Sequence, residues 1–92
     1  MTKIPKHSVN VISAGGDRMT IEYRALTRTT DSRTHYGIAV TSRLSDGRGD
    51  RSEIRDITTI PAYIEKILRT LVRGTVTPTS LYDVVEDLLA EM

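Results

Sequence analysis

The feature that most constrains the fold is the last third of the chain, residues 60–92, where apolar side chains recur with helical spacing. From Ile64 to Leu71 they fall at i, i+3, i+4 and i+7, and a similar spacing returns from Leu81 to Leu89. Only a short turn separates these segments, which leaves no room for a parallel return. The sequence therefore predicts two amphipathic helices packed as an antiparallel hairpin.

The ends of both helices carry capping signals. Thr58 or Thr59 can cap the first N-terminus, and Pro61 lies in the first turn, where its missing N–H costs little. Gly74 falls at the C′ position, where a left-handed residue ends a helix. Thr77 is an N-cap residue followed by a proline, so the second helix is expected to begin there.

Everything before the helices reads as strands and turns. The segment from Met19 to Ala25 shows the strict alternation of a half-buried strand. Ile54 and Ile57 are three apart, which breaks the alternation and indicates a bulge or the point where the chain turns into the helical region. A hairpin turn with two glycines is predicted at residues 14–17. The predicted strands are Lys6–Ser13, which is either an edge strand or a loose arm, Arg18–Arg28, Arg33–Leu44 and Arg51–Asp56.

Strands with short connections followed by a helical hairpin indicate an α+β domain. We expect a three- to four-stranded antiparallel meander sheet with the C-terminal αα-hairpin packed on one face, in the order ββββαα. Residues 1–92 form a single domain, with the sheet region at 1–58 and the helical hairpin at 59–92. The predicted core residues are Met19, Ile21, Tyr23, Tyr36, Ile38, Val40, Ile57, Ile64, Ile67, Leu68, Leu71, Leu81, Val84, Val85, Leu88 and Leu89.

Composition bounds the compartment and the chemistry. The chain has no Cys, Phe or Trp, so disulfides and thiolate metal sites are excluded and the core must be mainly aliphatic. It shows neither a signal-peptide apolar run nor a stretch near the ~18 apolar residues of a membrane helix. We therefore expect a cytoplasmic protein without membrane association.

Three short motifs follow one another along the second half of the chain. They are Y-G-I at residues 36–38, D-I-T at residues 56–58, and P-x-x-L-x-D-V-V-E-D-L starting at Pro78. In these motifs the chain resembles a family of small bacterial proteins of unknown function. The resemblance covers residues 36–92 and implies a coherent fold. Because its motifs are helix entries and core residues, it implies no particular chemistry.

No set of residues points to catalysis. A Glu22–His35 pair across the sheet is a conceivable acid and base, but a surface histidine beside a charged neighbour is the simpler interpretation. Asp83, Glu86 and Asp87 can share a helix face, where a solvated acidic surface is simpler than a divalent metal site. Serine-hydrolase and phosphate-loop motifs are missing from the sequence. We therefore expect a non-enzymatic protein without a cofactor or metal.

The net charge of +1 is divided unevenly along the chain. Residues 1–55 hold 10 Lys and Arg against 6 Asp and Glu, whereas residues 56–92 hold 3 against 6. A solvated surface is one interpretation. An anion-facing sheet is the other, because the guanidinium fork suits phosphate and carboxylate. The candidate anion-binding residues are Arg24, Arg33, Arg43 and Arg51.

Nucleic acid is one candidate partner for this basic side. Sheet-based RNA readers stack bases on exposed aromatic rings. Tyr23 and Tyr36 share the alternation phase of the core residues, so they should face the helices instead. An accessory nucleic-acid-binding role, resting on phosphate contacts alone, is therefore the alternative hypothesis.

Protein–protein interaction is the leading hypothesis. The second helix is apolar over a wide arc, which one small sheet does not obviously cover. We expect an interaction or regulatory module that binds an unidentified protein partner or forms a homodimer. The candidate interface residues are Leu81, Tyr82, Val85, Leu88, Leu89 and Met92.

Overall fold

The computed structural model describes residues 6–13 and 15–91 of the chain. Its elements are the strands β1 (His7–Ile12), β2 (Arg18–Thr30), β3 (Arg33–Leu44) and β4 (Gly49–Thr58), followed by the helices α1 (Pro61–Arg73) and α2 (Leu81–Glu91). The strands form one antiparallel sheet in the order β1-β2-β3-β4. The predicted ββββαα layout is confirmed, and β1 pairs with β2 as an edge strand.

The turn between β2 and β3 is tighter than the sequence predicts. Asp31 takes a left-handed conformation with a φ of 49°. The ladder therefore continues to the pair Thr30 and Arg33, beyond the predicted end of β2 at Arg28. Two-residue hairpin turns with positive φ match the twist of the flanking strands, which explains the longer ladder.

Two other connections also bear on the predicted boundaries. β4 extends beyond the predicted residues 51–56 at both ends. In the predicted turn at 14–17, Gly16 has a φ of 87°, which a glycine adopts without steric cost. Ala14 of that turn lies outside the described residues.

The core lies between the helices and the inner face of the sheet. Alternate side chains of β2 and β3 point toward this layer, α1 contacts all four strands, and α2 lies beside α1 against β4. All predicted core positions on the strands and on α1 are buried or half-buried. The buried cluster consists of Ile21, Tyr23, Ile38, Val40, Ile64, Ile67, Leu68, Leu71, Val76, Leu81 and Val85.

The core differs from the prediction at two positions. Leu89, predicted to be in the core, is 43% exposed. The reason is the position of α2 at the side of the sheet, where Leu81 and Val85 alone are fully buried in that helix. Val76, which lies in the turn between the helices and has no helical periodicity to mark it, belongs to the buried cluster.

A bulge in β4 lies opposite Gly37. The register shifts between Tyr36 and Ile38, so that β4 holds three residues against one of β3. A Cβ atom on residue 37 would overlap the carbonyl oxygen of Ile54 and lie 2.9 Å from the Cα of Arg55. Glycine is required at this close approach, and the predicted break in alternation is confirmed as a bulge.

The end of α1 differs from the prediction by one residue. Gly74, predicted at the left-handed C′ position, has a φ of −85°, whereas Thr75 takes the left-handed conformation with a φ of 51°. The N–H of Thr75 donates to the carbonyl of Val72 at 3.1 Å, and the N–H of Val76 donates to the carbonyl of Leu71 at 3.0 Å. These are the two bonds of a Schellman motif, and burial of Val76 against the core offsets the cost of a left-handed threonine.

The predicted threonine cap of α1 is wrong, whereas that of the second helical segment is right in position only. Ile60 is the N-cap of α1, and the hydroxyl of Thr58 accepts the N–H of Ile60 at 3.1 Å rather than a helical N–H. Thr77 is the N-cap residue of a 3-10 turn, Pro78–Ser80, with proline at the predicted position, but its side chain makes no cap bond. This turn runs directly into α2, which begins at Leu81, later than predicted.

The phenol of Tyr23 joins the sheet to the turn between the helices. Tyr23 projects from the middle of β2 and is 0% exposed. Its hydroxyl donates to the carbonyl oxygen of Val76 at 2.8 Å. Burial raises the pKa of Tyr23 to about 12, so the hydroxyl keeps its proton and remains a donor near neutral pH.

We expect Tyr23→Phe to lower the free energy of unfolding by about 1–2 kcal/mol, because the carbonyl of Val76 then loses its donor inside the core. Chemical denaturation followed by circular dichroism measures this difference. Tyr63→Phe is the matched control, since the Tyr63 side chain is 45% exposed, and it should change the value by less than about 0.5 kcal/mol. Equal losses in the two variants would contradict the role given to the bond.

Candidate binding surface

The face of the sheet that points away from the helices is densely charged. We call this surface the cationic face. The strand register and the salt bridges identify the side chains that lie on it. Its cationic side chains are Lys6, Arg18, Arg24, Arg28, Arg33, Arg43, Arg51 and Arg55, and the carboxylates among them are Glu22, Glu53 and Asp56. Positive charge therefore dominates one whole side of the domain.

Small residues of β3 form the middle of this face. Ala39 is 2% exposed although it points away from the helices. The longer side chains of Arg24 on β2 and Glu53 on β4 lie directly opposite it on either side. The middle of the cationic face is consequently covered by charged side chains.

Glu53 is the acidic centre of the β4 side. Its carboxylate accepts hydrogen bonds from Nη2 of Arg51 at 2.9 Å and from Nε of Arg55 at 3.0 Å. The hydrogen bond from Arg51, followed by that from Arg55, holds the pKa of Glu53 below its ordinary value. Both arginines are therefore partly neutralised by the protein itself.

A second ion pair lies at the bulge. Arg28 donates from Nε and Nη2 to the two carboxylate oxygens of Asp56, at 3.1 and 3.0 Å. Asp56 has a left-handed φ of 55°, which the bulge imposes. The bidentate hydrogen bonding from Arg28 lowers the pKa of Asp56. This pair ties β2 to β4 across β3.

The conceivable acid and base couple does not assemble. Glu22 pairs with Thr41, whereas His35 pairs with Arg28, six residues further along β2. At ~3.3 Å per residue this separation is about 20 Å. His35 instead shares a 3.2 Å hydrogen bond with the hydroxyl of Thr30.

The predicted anion-binding arginines all lie on the cationic face, but they differ in whether a carboxylate lies close to them. Arg24, Arg33 and Arg43 have no carboxylate within 4.0 Å among the described residues, whereas Arg51 is held by Glu53. Arg18 is a further arginine without such a partner, and sequence reasoning missed it. Its alternation phase, shared with Arg24 on β2, was the signal that would have found it.

The surface of α2 exposes fewer apolar side chains than the sequence suggests. Leu81 and Val85 are 0% and 2% exposed, so they belong to the core and cannot contact a partner. Leu88 is half-buried and Met92 lies outside the described residues. Of the predicted interface residues, Tyr82 and Leu89 are exposed, Tyr82 to 57%. The hydroxyl of Tyr82 donates to the carbonyl of Glu53 at 2.9 Å, which ties α2 to the free edge of β4.

The acidic residues of α2 do not form a recognisable metal site. Within residues 6–13 and 15–91, no group of three or more His, Cys, Asp or Glu side chains is placed to hold a metal ion. Asp83, Glu86 and Asp87 are all exposed on α2. Nor is any helix in the described part of the chain both long and apolar enough to cross a membrane.

Fold and surface together define a two-layer α+β domain with a helical hairpin on one side of the sheet and a cationic face on the other. The chain belongs to DUF6514, a family of unknown function, whose family model matches residues 2–91. The expected membership of a family of unknown function is thereby confirmed. No curated protein and no solved structure matches the chain.

The ion pairs of Glu53 can be tested directly. In an NMR pH titration we expect its carboxyl group to titrate below the ordinary value for glutamate, because two guanidinium groups favour the charged form. Arg51→Met should raise the pKa of Glu53 toward that value. Arg33→Met, which removes an arginine elsewhere on the same face, should leave it unchanged. An ordinary pKa for Glu53 in the unsubstituted protein would show that these pairs do not persist in solution.

Proposed function

We propose that this protein is a non-enzymatic interaction module that binds an acidic protein partner on its cationic face. The observation that carries the proposal is the group of arginines without a carboxylate within 4.0 Å among the described residues, Arg18, Arg24, Arg33 and Arg43. Unpaired guanidinium groups on an open sheet are available to carboxylates of another molecule.

The size of the surface suits a protein interface. With ~3.3 Å per residue and ~4.8 Å between strands, the four strands present roughly 650 Å². A standard protein interface covers roughly 800 Å² per partner. The cationic face with its rim is therefore large enough for a specific, weak to moderate complex.

A protein partner suits the charge pattern better than a nucleic acid. Glu22 and Glu53 stand among the arginines, where they would repel a phosphate backbone but can meet basic groups of a protein. The four tyrosines lie elsewhere: Tyr23 and Tyr36 on the inner face, and Tyr63 and Tyr82 on the helices. Bases would find no aromatic ring to stack on.

The three carboxylates with shifted pKa values are not suited to act as general acids. Hydrogen bonds from arginine lower the pKa of Asp46, Glu53 and Asp56. A general acid needs the opposite shift, toward neutral pH. The cysteine-free composition fits action in the cytoplasm, which we include in the proposal.

We expect the double variant Arg24→Glu, Arg33→Glu to lose its partner. Immobilised protein is incubated with nuclease-treated extract of the source cells, and bound proteins are identified and quantified by mass spectrometry. Reversal of two charges at the interface should lower capture of the partner about tenfold or more. Arg69→Glu, an exposed position on α1, is the matched control and should retain it.

Three results separate the hypotheses. A captured acidic protein that the double variant loses and the control keeps supports the proposal. If every captured protein binds the double variant and the control equally, the result counts against the proposal. Capture that disappears on nuclease treatment, with a mobility shift of oligonucleotides at low salt, supports the alternative, an accessory nucleic-acid-binding protein that uses the arginine-rich sheet.

Self-association is a second proposal, carried by the exposed apolar side chains of α2. Tyr82 and Leu89 are 57% and 43% exposed beside the half-buried Leu88. Light scattering should give twice the 10.3 kDa mass of the chain for a homodimer. Leu89→Lys should shift the protein to monomer, whereas Ala62→Lys, at an exposed position on α1, should not. A monomer at all concentrations argues against the homodimer.

A further inference from the structure

Arg18 and Arg43 come together at one end of the cationic face. Arg43 pairs with Thr20, and the N–H of Ser45 donates to the carbonyl of Arg18 at 3.2 Å, so the two arginines are diagonal neighbours on adjacent strands. The backbone positions of diagonal neighbours on two antiparallel strands are ~7–8 Å apart. Both line one open concavity of about 820 Å³. Two like charges therefore face the same space.

Neither guanidinium group is neutralised within the described part of the chain. No carboxylate oxygen there lies within 4.0 Å of Arg18 or Arg43. Glu22 shares an adjoining hollow of about 150 Å³ with Arg43, but its carboxylate lies 3.6 Å from Nζ of Lys6. The concavity thus holds positive charge that an external anion can balance.

Neutral hydrogen-bonding groups complete the lining. The hydroxyl of Thr20 donates to Oδ1 of Asn10 at 2.9 Å, which orients the carboxamide and leaves its NH₂ group to donate. Ser45 also lines this concavity and carries a hydroxyl group that can donate. An anion placed between the two arginines would meet these donors as well.

We propose that this concavity binds a phosphate monoester. A phosphate monoester carries −1.5 to −2 charges and three acceptor oxygens, which two guanidinium groups can share, whereas a carboxylate carries one charge. Arg18 and Arg43 stand on paired strands, so their backbone positions are fixed before the ligand arrives. The inference does not depend on the protein partner proposed above.

The concavity also has room for the group that the phosphate esterifies. Ile12, at the end of β1, is 65% exposed and lines it. An apolar or aromatic substituent that covers Ile12 would remove apolar surface from water and add affinity. Phenyl phosphate is therefore a suitable probe.

NMR titration of the ¹⁵N-labelled protein with phenyl phosphate tests the site. We expect shifts at the concavity, including the Nε–H groups of Arg18 and Arg43, and a Kd about tenfold or more below that for benzoate, which has one charge. Arg18→Met and Arg43→Met should each weaken binding about tenfold. Arg69→Met, at an exposed position on α1 and outside the cationic face, is the matched control and should change the Kd less than about twofold.

The spectra of the variants show whether they fold. Should a methionine variant lose its dispersed spectrum, Arg18→Lys and Arg43→Lys keep the charge without the planar fork and should bind with intermediate affinity. Equal affinity for phenyl phosphate and benzoate, or binding that survives substitution of both arginines, contradicts the proposal. Tighter binding of a phosphotyrosine peptide than of phenyl phosphate indicates that the natural ligand is a phosphorylated protein. Equal binding of the two indicates a small phosphate ester. Both results support the site.

Discussion

The hydrogen bond between the phenol of Tyr23 and the carbonyl of Val76 holds the two layers of this protein in one arrangement. Three parts of the fold meet there: the middle strand β2, the Schellman motif that ends α1, and the turn that leads to α2. The cap sets the direction of the carbonyl, and the surrounding aliphatic cluster keeps water away from it. An unsatisfied carbonyl in such a place is costly, so the bond favours a single position of the helical hairpin on the sheet.

Placing both helices on one face leaves the other face of the sheet open, and this determines the character of the molecule. The inner side is almost entirely aliphatic, whereas the outer side carries arginine at many alternate positions. Some of that charge is balanced within the sheet: Arg28 is paired with Asp56, and Arg51 and Arg55 are paired with Glu53. These exposed pairs add little to stability. Their effect is on recognition, because they divide the surface into neutralised parts and parts that still attract an anion.

Periodicity in the sequence predicted the order of elements, the bulge at the end of β4 and the inward direction of Tyr23, since each of these is encoded in the alternation of one segment. Predictions about caps and surfaces were less successful. Gly74 has the residue type for a left-handed cap, yet Thr75 takes that conformation because Val76 then reaches the core. Leu89 has the spacing of a buried residue, but α2 lies at the side of the sheet and leaves it exposed.

The sequence by itself therefore determined the α+β layout and the presence of a cationic face, because helical and strand periods and the choice of arginine are properties of each segment. The tertiary structure alone decided which arginines meet, and which have no carboxylate within reach among residues 6–13 and 15–91. Arg28 and Asp56 are paired by the sheet across 28 positions of sequence, and Arg18 and Arg43 face one concavity only because the register of β2 and β3 makes them diagonal. Such contacts depend on strand register and on a bulge opposite Gly37, and no single segment contains that information.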